Sequence, residues 1–247
     1  VTAANQFFIL NQNDIDKYHL EEYKRPIIQK GSLLEDSITF DENDFKNLYL
    51  TNTPCYFIDL NSESALENKN ISSYLQIGLS QKLNERYKMQ RRMHWFQVPY
   101  KAEPTPLFFF KRGHNYPKLI RNYTNAITTD SAYLVTPNKK YEPDNILFSF
   151  YNSFTLACAE LFGRYYGGGV LELTPNEFRK LPLPYTSISK KDFKQYLELH
   201  KERSDIRDIV EKYNSKILKS FFPNISDDEI NTLENIRTKL VRRRQRL

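Results

Sequence analysis

Short apolar clusters separated by helix-starting polar residues organise the first 135 positions, and longer runs with helical spacing follow. Gln6 to Leu10 reads as a strand, Asn13-Asp14 as the start of a short amphipathic helix through Leu20, and Asp41 as the cap of a helix over residues 42–50. Cys55 to Leu60 is a compact apolar strand bounded by Pro54 and Asn61, and residues 61–70 form a polar loop. Ile71, Tyr74, Leu75, Leu79 and Leu83 repeat at helical spacing, so the basic residues from Arg86 to Arg92 are expected at a helix C-terminus, where its dipole favours cations. Trp95 to Pro99, Leu107 to Phe110 and Ala132 to Val135 read as three strands, with antiparallel pairing the simplest arrangement.

Pro143 to Gly163 reads as one long buried helix, followed by the Gly167-Gly168-Gly169 turn and a short strand from Val170 to Leu173. Thr174 and Glu177 then form a capping box with Pro175 at the first helical position. From Phe193 to Leu218 the apolar positions trace one face of a long helix; Pro223 breaks it, and Ser226 with Glu229 caps a last helix burying Ile230, Leu233, Ile236 and Leu240. The predicted fold is α+β: a small twisted, mostly antiparallel sheet packed on a long helix, with a C-terminal antiparallel helix pair. The expected division is a domain over residues 1–187 and a helical extension over 188–247.

The sequence of 247 residues is 40% hydrophobic, enough for a sizeable core. Cys55 and Cys158 lie far apart in segments of buried character and read as reduced thiols of a cytoplasmic protein. No apolar run approaches the roughly 20 residues that span a bilayer, so no membrane partner is expected. The four histidines stand far from one another and from both cysteines, so no metal-ligand spacing is present, and neither a Gly-x-Ser-x-Gly elbow nor a Pro-Asp motif followed by Glu-x-Lys occurs. Charge distribution narrows the partner: between Lys82 and Arg121 ten basic residues, Lys101 among them, face two acids, leaving net +8 there and −2 elsewhere. Such clustering suits phosphate-backbone contact.

The run Arg164-Tyr165-Tyr166-Gly167-Gly168-Gly169-Val170-Leu171-Glu172-Leu173-Thr174-Pro175 resembles the target-recognition domain of restriction-modification adenine-N6 DNA methyltransferases with a TaqI-like C-terminal specificity domain. Val1-Thr2-Ala3-Ala4-Asn5-Gln6-Phe7-Phe8 is similar to that family's entry segment, Arg86 to Arg92 with Trp95 to Pro99 to its central basic block, and Asn152-Ser153-Phe154-Thr155 to its helix motif. Ala3 stands where the family usually has glycine, which predicts a differently shaped first turn. The resemblance covers about residues 1–185. It implies a double-stranded DNA partner and a catalytic methyltransferase domain of the same parent chain that binds S-adenosylmethionine. That domain's glycine-rich cofactor loop and Asn-Pro-Pro-Tyr/Phe motif are absent from these 247 residues. The expectation is therefore a specificity portion of a longer enzyme, with no cofactor and no catalytic or metal-binding residue in this chain.

The candidate DNA-binding residues follow from donor chemistry. Arg86, Lys88, Arg91 and Arg92 beside Trp95 combine phosphate donors with an aromatic face. Lys111, Arg112, His114, Asn115, Tyr116 and Lys118 form a basic loop held by Gly113 and Pro117, in which Arg matches guanine O6/N7 and Asn matches adenine N6/N7. Arg121 and Arg164 add charge, and Thr129 and Asp130 form a polar turn from which Asp130 accepts from cytosine N4 or simply holds a turn. Phe108 to Phe110 read as core, and Arg242 to Arg244 with Arg246 as a solvated helix end. The rival expectation is a protein-assembly module that docks through the C-terminal helices, with incidental DNA contact.

Overall fold

The computed structural model describes residues 2–62, 64–99, 102–201 and 205–246, so Val1 of the entry segment and Lys101 of the basic segment lie outside the described residues. Two compact units form: residues 1–29, 41–104 and 124–130 in the first, and residues 30–40, 105–123 and 131–247 in the second.

The first unit holds a four-stranded sheet in the order Ile9–Leu10, Tyr56–Ile58, Lys24–Ile28, Ile127–Thr128. The first three strands pair antiparallel and Ile127–Thr128 joins Lys24–Ile28 in parallel. Phe8, Ile15, Ile28, Phe57, Ile58 and Ile71 are buried in its core. Asp41 caps Glu42–Leu50 through a box with Asp44, as its polar-then-apolar pattern predicts.

Four expectations change here. The stretch 61–70 is not a loop: Ser64–Glu67 is a helical turn and Asn68 caps the next helix through its side chain. Residues 6–10 are not one strand: Asn5–Phe8 is a single helical turn, and Ile9–Leu10 alone joins the sheet. The helix over Ile71 stops early, at Lys69–Ser80, because Lys82 takes a left-handed backbone; a 3-10 turn and the short helix Tyr87–Gln90 follow, with Arg86 as its cap. Residues 95–99 are not a strand: Trp95 and Phe96 turn and 97–99 run without a ladder, since the carbonyl of Trp95 is taken by the Arg92 side chain (3.1 Å) and Gln97 N donates to His94 O.

The second unit contains a four-stranded sheet ordered Thr39–Phe40, Lys118–Asn122, Leu107–Phe110, Ala132–Val135, in which only the first pair is parallel. A separate three-stranded antiparallel sheet is formed by Arg164–Tyr166, Val170–Glu172 and Arg112–Gly113. The α+β expectation holds, with three small sheets among the described residues instead of one.

The long helix is two, Pro143–Phe150 and Ser153–Phe162. Buried Asn152 makes the break: its side chain accepts from Thr155 N (2.9 Å) and donates to Ser149 O (2.7 Å), satisfying backbone groups that a continuous helix would pair. Tyr151 in the bend reaches the sheet, where its hydroxyl donates to Leu119 O (2.7 Å) and accepts from Leu119 N (3.1 Å). The predicted C-terminal pair is three helices, Lys190–Lys201, Ile206–Phe221 and Asp227–Gln245; Asp205 caps the second and the Ser226–Glu229 box caps the third. No helix among the described residues is long and apolar enough to cross a membrane.

Ala3, where glycine was expected, has φ +65°, in the left-handed region that glycine adopts without strain. The turn thus keeps the glycine-like backbone that Ala3 was predicted to reshape. Ala3→Gly is expected to stabilise the chain by about 0.5–1 kcal/mol, relief of that strain minus the added unfolded-state entropy, as measured by urea unfolding; a loss of stability overturns it.

His200 is buried between the rings of Tyr196 (4.8 Å) and Tyr151 (5.4 Å), and its Nε2 has no hydrogen-bond partner among the described residues. Burial pushes its pKa down to about 3 from an ordinary 6.5. Protons therefore bind the unfolded chain first, so stability is complete above pH 6.5 and falls as pH drops through 6.5 towards 3. By pH 5 the loss amounts to about 2 kcal/mol. Comparing unfolding midpoints at pH 7.5 and 5 checks this, and His200→Leu is expected to remove that share of the loss.

Candidate nucleic-acid interface

The three-stranded sheet of the second unit is built around the glycine run. Gly168 and Gly169 have φ +77° and +73°, so Gly167 to Gly169 turns Arg164–Tyr166 back into Val170–Glu172 as a hairpin. Leu171 pairs with Gly113 and Glu172 with Arg112, placing Arg112, Glu172 and Arg164 in one cross-strand row. Alternation sends Leu171 into the core and leaves this row and Tyr166 on the outer face.

Arg112 is 67% exposed, its Nη2 lies 3.1 Å from Glu172 Oε2, and its guanidinium sits 5.5 Å from the Tyr166 ring. The Arg112–Glu172 contact is an ion pair without hydrogen-bond alignment, and Glu172 Oε2 is shielded and has no hydrogen-bond donor among the described residues. Arg164 Nε donates to Glu177 Oε1 (2.7 Å), and the same carboxylate accepts at Oε2 from Thr174 N (2.6 Å) in the predicted capping box. Arg164 thereby holds the Glu177 carboxyl below the usual carboxylate range.

The loop after Arg112 meets the hairpin tip: His114 Nε2 donates to Gly168 O at 2.9 Å, while His114 and Asn115 are both exposed. The last turn of Asp227–Gln245 closes the arrangement. Arg244 is not a solvated helix end; its side chain is 0% exposed and Glu160, 2% exposed, takes its Nε and Nη2 at 2.8 Å each. Its Nη1 also donates to His114 O (2.6 Å) and to Gly169 O, and Nη2 reaches Asn115 O at 3.4 Å. Removing one partner of such a buried pair costs about 3–5 kcal/mol.

The other candidates divide. Lys111 is half-buried with its Nζ 4.9 Å from the Tyr133 ring. Tyr116 does not project: it is 6% exposed in the core beside Tyr151. Half-buried Lys118 lies near its ring, and burial lowers the Lys118 pKa against the opposing pull of Asp36 and Glu35. Arg121 is turned inward, its Nε on Asp144 Oδ1 (2.7 Å) and Nη1 on the carbonyls of Pro106 and Asn122 (2.9 Å each).

In the first unit Arg86, Lys88 and Arg91 are exposed, and the Arg91 guanidinium lies 4.6 Å from the Tyr87 ring. Arg86 also donates to Ala3 O (3.0 Å). Arg92 is a structural clamp instead, donating to Thr2 O (2.8 Å) and Trp95 O, and burial lowers its pKa. Trp95 is committed to packing, because a Cβ on Gly78 would come within 2.3 Å of its ring and Phe7 lies 5.5 Å away. Thr129 is buried and donates to Gln29 O (3.0 Å), whereas Asp130 is exposed.

Among the described residues no group of three or more His, Cys, Asp or Glu side chains converges as a metal site. The glycine run links two antiparallel strands and does not open a helix, so it does not fit the strand-to-helix turn that holds a nucleotide cofactor.

Residues 1–218 match the family model for the C-terminal domain of type II methyltransferase M.Eco57I. The chain belongs to that family. A curated relative, the type II methyltransferase M.AccI of Acinetobacter calcoaceticus, is 25% identical over 209 residues, covering 81% of this chain and 37% of its own length. The crystal structure of the type IIG restriction endonuclease BpuSI shares the fold, with TM-score 0.55 and 13% identity over 94% of this chain and 27% of that one. The chain thus spans little more than a third of the curated relative it matches. Within this M.Eco57I-type C-terminal domain, sequence reasoning missed Glu172, Glu160 and Arg244. The Leu171-Glu172-Leu173 alternation places Glu172 opposite two buried leucines, and Glu160 is the one charged residue in its helix.

Glycine placement gives a direct test of the loop. A Cβ at Gly113 would lie 2.3 Å from Tyr116 O, whereas one at Gly167 meets nothing within 4 Å. Gly113→Ala is expected to destabilise by about 1–3 kcal/mol and Gly167→Ala by less than about 0.5 kcal/mol, read from thermal unfolding; equal effects overturn the loop geometry.

Proposed function

We propose that this chain is the sequence-specific double-stranded DNA recognition domain of a type II restriction-modification methyltransferase that acts on adenine N6. The observation that carries the reading is the outer face of the three-stranded sheet, where Arg112, Arg164 and Tyr166 stand exposed beside a loop presenting His114 and Asn115. Arg112 has the fork for guanine O6/N7, and Asn115 has the donor and acceptor for adenine N6/N7. Arg86, Lys88 and Arg91 supply sequence-independent phosphate contacts. Family membership supports a methyltransferase context.

S-adenosylmethionine and the transfer step belong, in this reading, to a catalytic domain of the same parent polypeptide, and the residues present here do not fit that cofactor. The chain's own work is to fix register on phosphates and to read base edges. A protein-assembly role is the second reading, favoured by the exposed Leu161, Phe162, Phe221 and Phe222.

The Arg86→Ala, Lys88→Ala, Arg91→Ala triple variant is expected to lower the slope of log affinity against log salt by roughly 2–3, close to 0.9 per lost phosphate contact. Arg112→Ala is expected instead to weaken one class of sequences by about 1–3 kcal/mol. Fluorescence titration on duplex pools at several salt concentrations measures both. A folded triple variant with an unchanged slope overturns the DNA reading and leaves assembly.

A further inference from the structure

We infer that Arg244 is a positioning residue for base recognition: the last turn of the C-terminal helix sets the conformation of the reading loop and hairpin without touching DNA. This inference rests on the DNA-recognition reading. Its grounds are geometric. One guanidinium binds the carboxylate of Glu160 with two of its nitrogens and donates to the carbonyls of His114 and Gly169, with Asn115 O at 3.4 Å, drawing together segments 75 to 130 residues apart in sequence. Gln245 adds a bond from its Nε2 to His114 O (3.1 Å), and the backbone at Gly169 lies against Gln245. His114 Nε2 on Gly168 O and the Tyr165 hydroxyl on Glu160 O (2.5 Å) bind the hairpin to the same assembly.

A planar fork with five donors can hold such divergent acceptors at once, whereas an ammonium on a flexible stem cannot. The carbonyls it fixes belong to His114 and Asn115, whose side chains are the exposed reading candidates, so the guanidinium determines where they project. Full burial keeps Arg244 away from phosphate. Its loss should therefore act on selectivity and leave the electrostatic part of binding intact.

The test uses the natural full-length polypeptide and its paired variant Arg244→Met with Glu160→Met, which removes both charges together and leaves neither buried alone. Selection from a randomised duplex pool, salt titration on random duplex, and amide hydrogen exchange over residues 112–117 and 167–169 are compared. The paired variant is expected to lose roughly tenfold in preference for the selected sequence, within what one bidentate base contact discriminates. Its loop and hairpin amides should exchange faster, and random-duplex affinity and salt slope should match the parent. Arg244→Lys, which keeps the charge without the fork, is expected to show the same loss in smaller degree and decides the matter if the paired variant does not fold. Undiminished selectivity in a folded variant overturns the positioning role. If the unaltered polypeptide enriches no sequence, the DNA-recognition reading itself has failed.

Discussion

A guanidinium withdrawn from water must find acceptors for its N–H groups and an anion for its charge, and in the second unit Arg244 finds both between the hairpin, the loop and Glu160. Glu160 lies in the final turn of Ser153–Phe162, the end of a helix where its dipole disfavours an anion. Burying that carboxylate there without a cation would be costly. The guanidinium that offsets it arrives from the last turn of Asp227–Gln245, an end that favours cations. Each helix terminus thus accommodates the charge of the other. The remaining donors then fix the hairpin and the loop, so the C-terminal helix is part of the framework that shapes the candidate interface.

Charge counting and charge availability differ along the basic segment. The net +8 between Lys82 and Arg121 is a property of the sequence, yet Arg92 and Arg121 spend their donors on backbone carbonyls and on Asp144. A long side chain with a planar fork is as useful for satisfying orphan carbonyls in turn-rich segments as for binding phosphate. Composition cannot separate the two uses, because the deciding fact is whether a carbonyl left out of a ladder lies within reach.

Local features were legible from the sequence. The cap at Asp41, the capping boxes at Thr174 and Ser226, the Tyr56–Ile58 and Leu107–Phe110 strands and the glycine turn all depend on residues within a few positions of one another. The helix break at Asn152 was not, since an asparagine within an apolar run reads equally as a tolerated polar residue; only the carbonyl of Ser149 and the strand partner of Tyr151 show why the chain turns. Lys118–Asn122 was missed because its adjacent Leu119 and Ile120 break the alternation that marks a half-buried strand; it is covered on both sides. The site followed the same rule: Arg112, His114 and Asn115 were visible as an exposed loop, but the 84-residue separation of Glu160 from Arg244 hides their pairing from any local pattern.

Within the proposed recognition role, the partners of the exposed arginines divide their work. Arg91 lies against the neutral ring of Tyr87, so its field is undiminished and an approaching phosphate meets no carboxylate from that partner. Arg112 stands beside Glu172, with Arg164 held by Glu177 in the same sheet, so a phosphate approaching that face meets negative charge within a few ångströms. A base edge carries acceptors without net charge, which the exposed Arg112 fork can meet. The carboxylates hold the two guanidinium groups in a limited set of orientations and select against backbone contact, which is a form of discrimination by repulsion. The alternating row of arginine and glutamate therefore suits base reading, and the tyrosine-backed cluster at Arg86 to Arg91 suits the phosphate backbone.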